Sequence, residues 1–134
     1  MMVRTTPISE IMTTNVRTAA VADKLSDVRH MMVEGKFHHL PIVDGNSLVG
    51  ILSARDLIRI ARTGSKPSGA VLDQCSTIAE SMRTDLVTMQ FDESVERAID
   101  LLSDGAVHSV IVLGRDNRLV GIVTNVDILD YLFS

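Results

Sequence analysis

The feature that most constrains this sequence is an internal repeat. Corresponding residues stand 70 positions apart up to the second strand of each repeat and 71 apart afterwards, as in the pairs Met12 and Met82, Gly35 and Gly105, and Gly50 and Gly121. A repeat of this length is typical of two supersecondary units that cannot bury their apolar faces alone. The chain is therefore predicted to fold as two similar units, with a functional site where they meet.

Length and composition favour a compact domain inside the cell. With 134 residues, 46% of them hydrophobic, the chain can bury a sizeable core, whereas each repeat alone would be marginal. The first ten residues lack the apolar run of a signal peptide, and charges interrupt every apolar stretch before membrane-spanning length. Cys75 is the single cysteine, so no internal disulfide can form. We expect a cytoplasmic protein that does not associate with membranes.

The charge distribution differs between the two halves. The net charge is −4, which argues against a general nucleic-acid binder because such a protein carries a strong basic stripe. Through Ala70 the sequence has nine Lys/Arg and six Asp/Glu, whereas four and eleven follow. The first half is therefore the better host for an anionic ligand.

Each repeat is predicted to contain a short helix, a strand, a longer helix, two further strands and a closing helix. The longer helix of the first repeat has one apolar face, and we expect Asp23 to cap its start and Gly35 to end it. Asp92 and Gly105 are expected to do the same in the second repeat.

The strands that follow each long helix are predicted to form hairpins. They cover residues 38–52 and 107–123, and both are rich in Val, Ile and Leu. Residues 63–69 read as a linker because they combine glycine, proline and serine. Residues 77–80 match a capping box that opens the second repeat.

The residues most suited to chemistry stand where the last strand of each repeat meets its closing helix. Ser53 and Asp56 in the first repeat correspond to Thr124 and Asp127 in the second. A hydroxyl and a carboxylate three residues on lie side by side over a first helical turn, beside unpaired N–H groups. Such a turn can bind an anion, and the carboxylate can accept hydrogen bonds from a vicinal diol. Ribose phosphate offers both groups.

A purely structural interpretation of the same motif is a capping box. In that case the hydroxyl and the carboxylate satisfy the first N–H groups of the helix and bind nothing else. Two copies at equivalent positions, each after Gly-Ile, favour ligand binding, although one of them can still serve only as a cap.

The ordered double set of motifs resembles a tandem pair of CBS domains, the Bateman module. The resemblance rests on the strand 38–42, the turns 50–56 and 121–127, and their constant order in both halves. It implies an α/β (α+β) fold in which each repeat forms a small three-stranded sheet with flanking helices, packed with pseudo-twofold symmetry. The implied domains are 8–62 for repeat one, 63–75 for a linker, and 76–133 for repeat two.

The resemblance also implies a function. CBS pairs bind adenosine derivatives such as AMP, ADP, ATP or S-adenosylmethionine between their repeats, as regulatory ligands, and they commonly dimerise. We therefore expect a sensor with no catalytic residue, no metal and no obligatory cofactor. Its partners would be a nucleotide, a second copy of the chain and an unidentified regulated protein.

Ligand-binding residues are carried over by position. In the first repeat the resemblance implies Val16, Thr18, His38, His39, Pro41, Ser53, Arg55 and Asp56, and in the second Leu86, Thr88, His108, Ser109, Thr124, Asn125 and Asp127. The aspartates would hold ribose hydroxyls, the hydroxyl residues would sit near ribose or phosphate, and the first-strand segments would flank the adenine. The strand 36–41 is similar to a segment of the AMP-activated kinase γ subunit whose histidine approaches phosphates, which makes His38 and His108 candidates.

The two sites are not expected to be equivalent. Basic residues follow the first aspartate, whereas apolar residues follow the second. One interpretation is that the Asp56 site prefers a polyphosphate and the Asp127 site a less charged ligand. The other is that Arg55 and Arg59 belong to a solvated helix face.

Two other functions remain open from sequence. One is a ligand-free interaction or dimerisation module, and the other is a nucleotide-processing enzyme with an aspartate as base, against which no nucleophile set or phosphate loop is visible. The long helices carry Met31, Met32, Leu101 and Leu102, and we expect their apolar surface to form a homodimer contact.

Overall fold

The computed structural model describes residues 5–62 and 69–133, which divide into two compact units. The central unit comprises residues 17–85, and the terminal unit joins the residues up to Val16 with those from Leu86 onward.

The central unit contains three strands and four helices. They are β1 (Ala19–Ala20), α1 (Leu25–Gly35), β2 (His39–Asp44), β3 (Ser47–Ser53), α2 (Ala54–Arg62), α3 (Gly69–Cys75) and α4 (Ile78–Ser81). The terminal unit has a 3-10 turn at Ile8–Glu10, then β4 (Thr88–Gln90), α5 (Val95–Ser103), β5 (Ser109–Leu113), a second 3-10 turn at Arg115–Asn117, β6 (Leu119–Thr124) and α6 (Asn125–Phe133).

Each unit is built around a three-stranded sheet of the same topology. The first strand runs parallel to the second, and the second runs antiparallel to the third, in the orders β1-β2-β3 and β4-β5-β6. Helices flank both sheets, which confirms the predicted fold class. Both predicted hairpins are present, and the ends of their strands lie within two residues of the predicted positions.

The first short segment of each repeat belongs to the compact unit that contains the other repeat's sheet. Ile8 is fully buried in the core of the terminal unit, beside Met89 and Val110. Ile78 is fully buried in the core of the central unit, beside Leu40. Since an isoleucine at either place removes a large apolar area from water, each segment is held there by packing. The compact units therefore differ from the sequence repeats.

The starts and ends of the long helices differ by a few residues from the prediction. α1 begins after Lys24, and Asp23 instead accepts a hydrogen bond from the backbone N–H of Ala20 at 3.0 Å. α5 begins after Ser94, whose hydroxyl accepts from a backbone N–H in its first turn at 3.4 Å. Asp92 therefore does not cap α5, because a serine closer to the helix performs that role.

Both glycines stand at or just beyond a helix end. Gly35 is the last residue of α1, and Lys36 adopts the left-handed conformation that terminates the helix. Gly105 has a positive φ of 80° two residues after the end of α5. In the first repeat a lysine thus takes the left-handed position that the sequence pattern assigned to a glycine.

The second half of the predicted linker is helical. Residues 63–68 lie outside the described residues, but α3 covers Gly69–Cys75 and buries Leu72 in the core of the central unit. The carboxylate of Asp73 accepts hydrogen bonds from the backbone N–H and hydroxyl of Ser26, at 2.9 and 2.6 Å. Because Ser26 lies in the first turn of α1, Asp73 caps that helix from outside it. Thr77 caps α4 as predicted, because its hydroxyl accepts from the backbone N–H of Glu80 at 3.2 Å. The Glu80 carboxylate accepts from the same hydroxyl at 3.0 Å.

The exposed apolar surface does not lie where we expected it. Met32 and Leu102 are buried, and Met31 and Leu101 are half-buried against the cores, because the apolar faces of α1 and α5 pack on their own sheets. The large exposed apolar residues lie mainly on α6, as Val126, Leu129, Leu132 and Phe133, with Ile58 on α2 and Val33 on α1. Within the described residues, no helix is long and apolar enough to cross a membrane.

Candidate functional site

The two hydroxyl-and-carboxylate motifs occupy equivalent places in the two units. Ser53 ends β3 and Asp56 lies in the first turn of α2, while Thr124 ends β6 and Asp127 lies in the first turn of α6. In each unit this end of the sheet also holds the beginnings of the first two strands. The topology therefore gathers most of the predicted ligand-binding residues at one end of each sheet.

In the central unit, the motif forms a reciprocal pair of hydrogen bonds. The Oδ2 atom of Asp56 accepts from the backbone N–H of Ser53 at 2.8 Å and from its hydroxyl at 3.0 Å. The backbone N–H of Asp56 lies 3.2 Å from the Ser53 hydroxyl oxygen and donates to it. This is the geometry of a capping box, so the structural interpretation of the motif is correct for one carboxylate oxygen.

The second carboxylate oxygen of Asp56 faces two arginines. Its Oδ1 lies 3.7 Å from the nearest guanidinium nitrogens of Arg59 and Arg83. These distances exceed hydrogen-bond length, so Oδ1 keeps the capacity to accept hydrogen bonds from another group. Asp56 is only 4% exposed, whereas both arginine side chains are about half exposed or more, at 67% and 48%. A buried carboxylate is thus compensated by two cations that reach solvent.

Arg83 was not among the predicted site residues, and the backbone explains its position. The N–H and carbonyl of Arg83 exchange hydrogen bonds with Ile51 at 2.9 and 3.0 Å, which attaches the residue to the outer edge of β3. Gly50 permits this approach, since a Cβ there would lie 3.0 Å from the Arg83 carbonyl oxygen and would collide with Met82. The repeat register contained a signal, because Met82-Arg83 aligns with Met12-Thr13.

The terminal unit repeats this arrangement with one changed side chain. The Oδ2 atom of Asp127 accepts from the backbone N–H of Thr124 at 2.9 Å and from its hydroxyl at 3.4 Å. Its Oδ1 lies 3.5 Å from the hydroxyl of Thr13, which donates to it. Thr13 exchanges backbone hydrogen bonds with Ile122 at 2.9 and 3.0 Å, as Arg83 does with Ile51. At the position where Asp56 faces the Arg83 guanidinium, Asp127 therefore faces a neutral hydroxyl.

The other predicted residues of the central unit lie around Ser53. His39 is half-buried and pairs with Ser53 across β2 and β3. The first residue of α2 donates its N–H to the carbonyl of His38 at 2.8 Å, and the side chain of His38 is exposed. Thr18 immediately precedes β1, and Pro41 is buried within β2.

The terminal unit has the same layout around Thr124. Ser109 pairs with Thr124 across β5 and β6, and His108 is half-buried just before β5. Thr88 begins β4, which runs parallel to β5, and Asn125 is the exposed first residue of α6. Both units thus present one half-buried polar residue, His39 or Ser109, opposite the hydroxyl of the motif.

Three predicted residues are placed differently from the rest. Val16 and Leu86 are half-buried residues of the terminal unit, one in each of its two chain segments. Val16 and Thr18, predicted to flank the same adenine, fall in different units. Arg55 is exposed in the first turn of α2, beside Asp56 in sequence.

The arrangement is suited to holding a diol and an anion. Each aspartate uses one oxygen to cap a helix and directs the other toward a polar or cationic neighbour, and each lies at a helix N-terminus. Within the described residues, no group of three or more His, Cys, Asp or Glu side chains could hold a metal ion. The motif itself offers hydrogen-bond acceptors and negative charge.

Sequence comparisons connect this architecture to a family. The CBS domain profile matches residues 8–62 and 75–134. Protein MJ1225 of Methanocaldococcus jannaschii is 26% identical over 129 residues, covering 92% of this chain and 46% of that protein. Homoserine O-acetyltransferase of Methanohalobium evestigatum is 27% identical over 124 residues, covering 92% of this chain and 23% of that enzyme. The chain thus spans less than half the length of these relatives.

Solved structures agree with the sequence comparisons. The CBS domain pair of protein MJ0100, in complex with 5′-methylthioadenosine and S-adenosyl-L-methionine, is similar with a TM-score of 0.81 and 27% identity, over 96% of this chain and 97% of that one. The CBS domain protein TA0289 of Thermoplasma acidophilum has a TM-score of 0.80 and 27% identity, over 96% and 70% of the two chains. Together with the duplicated sheet and turn, these matches show that the chain belongs to the CBS domain family, as a tandem pair of CBS domains.

Proposed function

We propose that this CBS pair is a regulatory sensor that binds an adenosine derivative, AMP, ADP, ATP or S-adenosylmethionine. The observation that carries the proposal is the duplicated turn, in which one aspartate oxygen remains available as an acceptor beside a helix N-terminus. The complex of MJ0100 with two adenosine derivatives supports this ligand class. The homoserine O-acetyltransferase matches over only 23% of its length, which supports a module without catalytic activity of its own.

The residues have distinct roles in this proposal. Asp56 and Asp127 accept hydrogen bonds from ribose hydroxyls, and Ser53 and Thr124 orient the carboxylates. His39 and Ser109 pair in register with Ser53 and Thr124, and in this proposal they contact the ribose or phosphate together with the adjacent His38 and His108. Binding regulates a partner only if the ligand favours one arrangement of the protein over another.

Calorimetric titration of AMP, ADP, ATP and S-adenosylmethionine tests the proposal directly. Asp56→Ala and Asp127→Ala should each weaken one binding event by roughly ten- to hundredfold, because the lost hydrogen bonds have a charged acceptor. Asp130→Ala is the matched control, since Asp130 is exposed on α6 and lies outside the motif. Incubation with ATP and Mg²⁺ distinguishes a sensor from an enzyme, because a sensor returns the nucleotide intact.

The capping geometry defines the competing function. Both aspartates stabilise the start of a helix, so both alanine variants should also lose folding stability, about 0.5–2 kcal/mol. The motifs serve only as caps if both variants lose stability and bind nucleotide as tightly as the wild type does. The same conclusion holds if neither the wild type nor the variants bind nucleotide. The chain would then act as a ligand-free interaction module.

A homodimer belongs to the same proposal, with its contact moved to α6. Val126, Leu129, Leu132 and Phe133 are each at least half exposed, and they follow one another at helical spacing. Sedimentation at concentrations of ~50 µM should show a dimer, since that is well above a micromolar dissociation constant. Leu129→Ser should disrupt the dimer. If the native protein sediments as a monomer, with the same sedimentation coefficient as Leu129→Ser, this contact is ruled out.

A further inference from the structure

The two units hold their aspartates in the same backbone geometry but place a different residue against the outward oxygen. In the central unit that residue is Arg83, with its Nε 3.7 Å from Asp56 Oδ1. In the terminal unit it is Thr13, with its hydroxyl 3.5 Å from Asp127 Oδ1. Both are fixed by the same pair of backbone hydrogen bonds to the third strand.

We propose that the residue at this position, Arg83 or Thr13, determines whether its site takes a phosphorylated or an unphosphorylated adenosine derivative. The inference rests on the proposed function, because it assigns a ligand class to each of the two sites. It goes beyond the sequence prediction, which attributed the difference to the arginines that follow Asp56.

The central site carries a surplus of positive charge. Arg59 and Arg83 both approach one carboxylate, so the three groups together carry a net charge of +1. Neither guanidinium is within hydrogen-bond length of Asp56, and the Arg83 side chain is 48% exposed. Arg83 can therefore turn toward a ligand phosphate without breaking a direct hydrogen bond. The planar guanidinium is well matched to a phosphate group.

The terminal site has a neutral residue at the position of Arg83. The outward oxygen of Asp127 accepts a hydrogen bond from the Thr13 hydroxyl, whereas the corresponding oxygen of Asp56 faces the Arg83 guanidinium. A phosphate beside that carboxylate would be repelled, whereas a neutral thioether or a sulfonium cation would not. The terminal site is therefore suited to 5′-methylthioadenosine or S-adenosylmethionine, and the central site to AMP or a larger nucleotide.

The position of each side chain is robust to substitution. A glycine on the third strand, Gly50 or Gly121, permits the close approach. A Cβ there would lie 3.0 or 3.1 Å from the carbonyl oxygen of Arg83 or Thr13, and closer still to the preceding methionine side chain. The backbone hydrogen bonds do not depend on the side chain of Arg83 or Thr13. Exchanging the two side chains should therefore exchange the charge and leave the backbone in place.

The test compares AMP with 5′-methylthioadenosine, which share adenosine and differ in the phosphate. Calorimetry measures the affinity of the central site in a protein that carries Asp127→Ala, and the affinity of the terminal site in a protein that carries Asp56→Ala. Arg83→Thr should reduce the affinity for AMP relative to 5′-methylthioadenosine by about tenfold. Arg83→Lys should retain part of the preference, and Thr13→Arg should shift the terminal site toward AMP by a similar factor. Arg118→Thr, an exposed arginine outside both sites, should change neither ratio.

The ratio of the two affinities separates the proposal from a structural effect. A substitution that only disturbs folding weakens both ligands together and leaves the ratio unchanged. If both ligands bind and the ratio is the same in wild type, Arg83→Thr and Thr13→Arg, the specificity assignment is wrong while the proposed function stands. If neither ligand binds the wild-type protein, both are wrong.

Discussion

The central and terminal units hold an aspartate in the same way and surround it with different charges. The hydrogen bonds from Ser53 to Asp56 and from Thr124 to Asp127 differ by at most 0.4 Å between the units. The position facing the carboxylate is nevertheless an arginine in one unit and a threonine in the other. The comparison shows that the backbone fixes the geometry of such a site, whereas its electrostatic potential depends on a few exchangeable side chains.

The long helices α1 and α5 provide a second comparison. α5 is capped by its own Ser94. The residue at the corresponding place before α1 is Lys24, whose side chain forms no capping hydrogen bond. The first turn of α1 instead donates to Asp73 of α3. The central unit thus depends on a segment of the chain between the repeats, α3, to satisfy the start of its long helix.

The largest effect is expected from Ile8→Ala and Ile78→Ala. Each side chain is fully buried, so each truncation should cost about 2–5 kcal/mol of unfolding free energy. Ile8→Ala should lower the hydrogen-exchange protection of β5 more than that of β2, and Ile78→Ala should do the reverse. Ile58→Ala is the control, because Ile58 is 62% exposed and should change stability by less than about 0.5 kcal/mol. Equal loss of protection in both sheets for both variants would contradict the assignment of the two segments to their units.

A smaller loss is expected from Asp73→Ala. The carboxylate accepts two hydrogen bonds from Ser26 and is half-buried, so its removal should cost about 1–2 kcal/mol, the lower part of the range for charged hydrogen bonds. Gln74→Ala is the matched control, since Gln74 is the exposed next residue of the same helix. A loss no greater than that of the control in chemical denaturation would show that α3 does not stabilise the start of α1.

The same carboxylate predicts a pH dependence. Burial alone would raise the pKa of Asp73, but the hydrogen bonds from Ser26 and the charge of Lys24 outweigh it and hold the pKa below its ordinary value of 3.8. Because the folded-state pKa is lowered, the stabilisation is present above 3.8 and is lost as the pH falls through the folded-state pKa. The difference in unfolding free energy between wild type and Asp73→Ala should therefore be constant from pH 5 to pH 7 and decrease below 3.8. A constant difference down to the folded-state pKa and below it would contradict the role of the charge.

The smallest effect is expected from Ser94→Ala. The Ser94 hydroxyl accepts from its helix at 3.4 Å, which is long for a hydrogen bond, so its removal should cost about 0.5–1 kcal/mol, the lower half of the range for N-caps. Asp100→Ala, at an exposed position on the same helix, is the control. Thermal unfolding of both variants and of Asp73→Ala would compare the stability contributed by Ser94, which caps its own helix, with that contributed by Asp73, which caps α1 from α3. A larger loss for Ser94→Ala than for Asp73→Ala would reverse that ranking.

Sequence alone determined the duplication, the order of the strands and long helices, and the location of the candidate site. The hairpins and the two turns were predictable because the alternation of strand residues, the Gly-Ile pair and the spacing of hydroxyl and carboxylate are local patterns. The helix starts were less predictable. Asp23 and Asp92 are good capping residues, yet Ser94 caps α5 and Asp73 the first turn of α1. Several nearby polar residues can satisfy the same N–H groups, and sequence does not rank them.

Only the tertiary structure decided which distant residues complete each unit. Ile8 belongs with β5 and Ile78 with β2 because each fills the core of a sheet far away in sequence. Arg83 and Thr13 reach the aspartates because a glycine lets their backbones pair with the third strand. Such contacts depend on long-range packing and close approach, which leave no local pattern, whereas the chemistry of the aspartates themselves was already visible in the sequence.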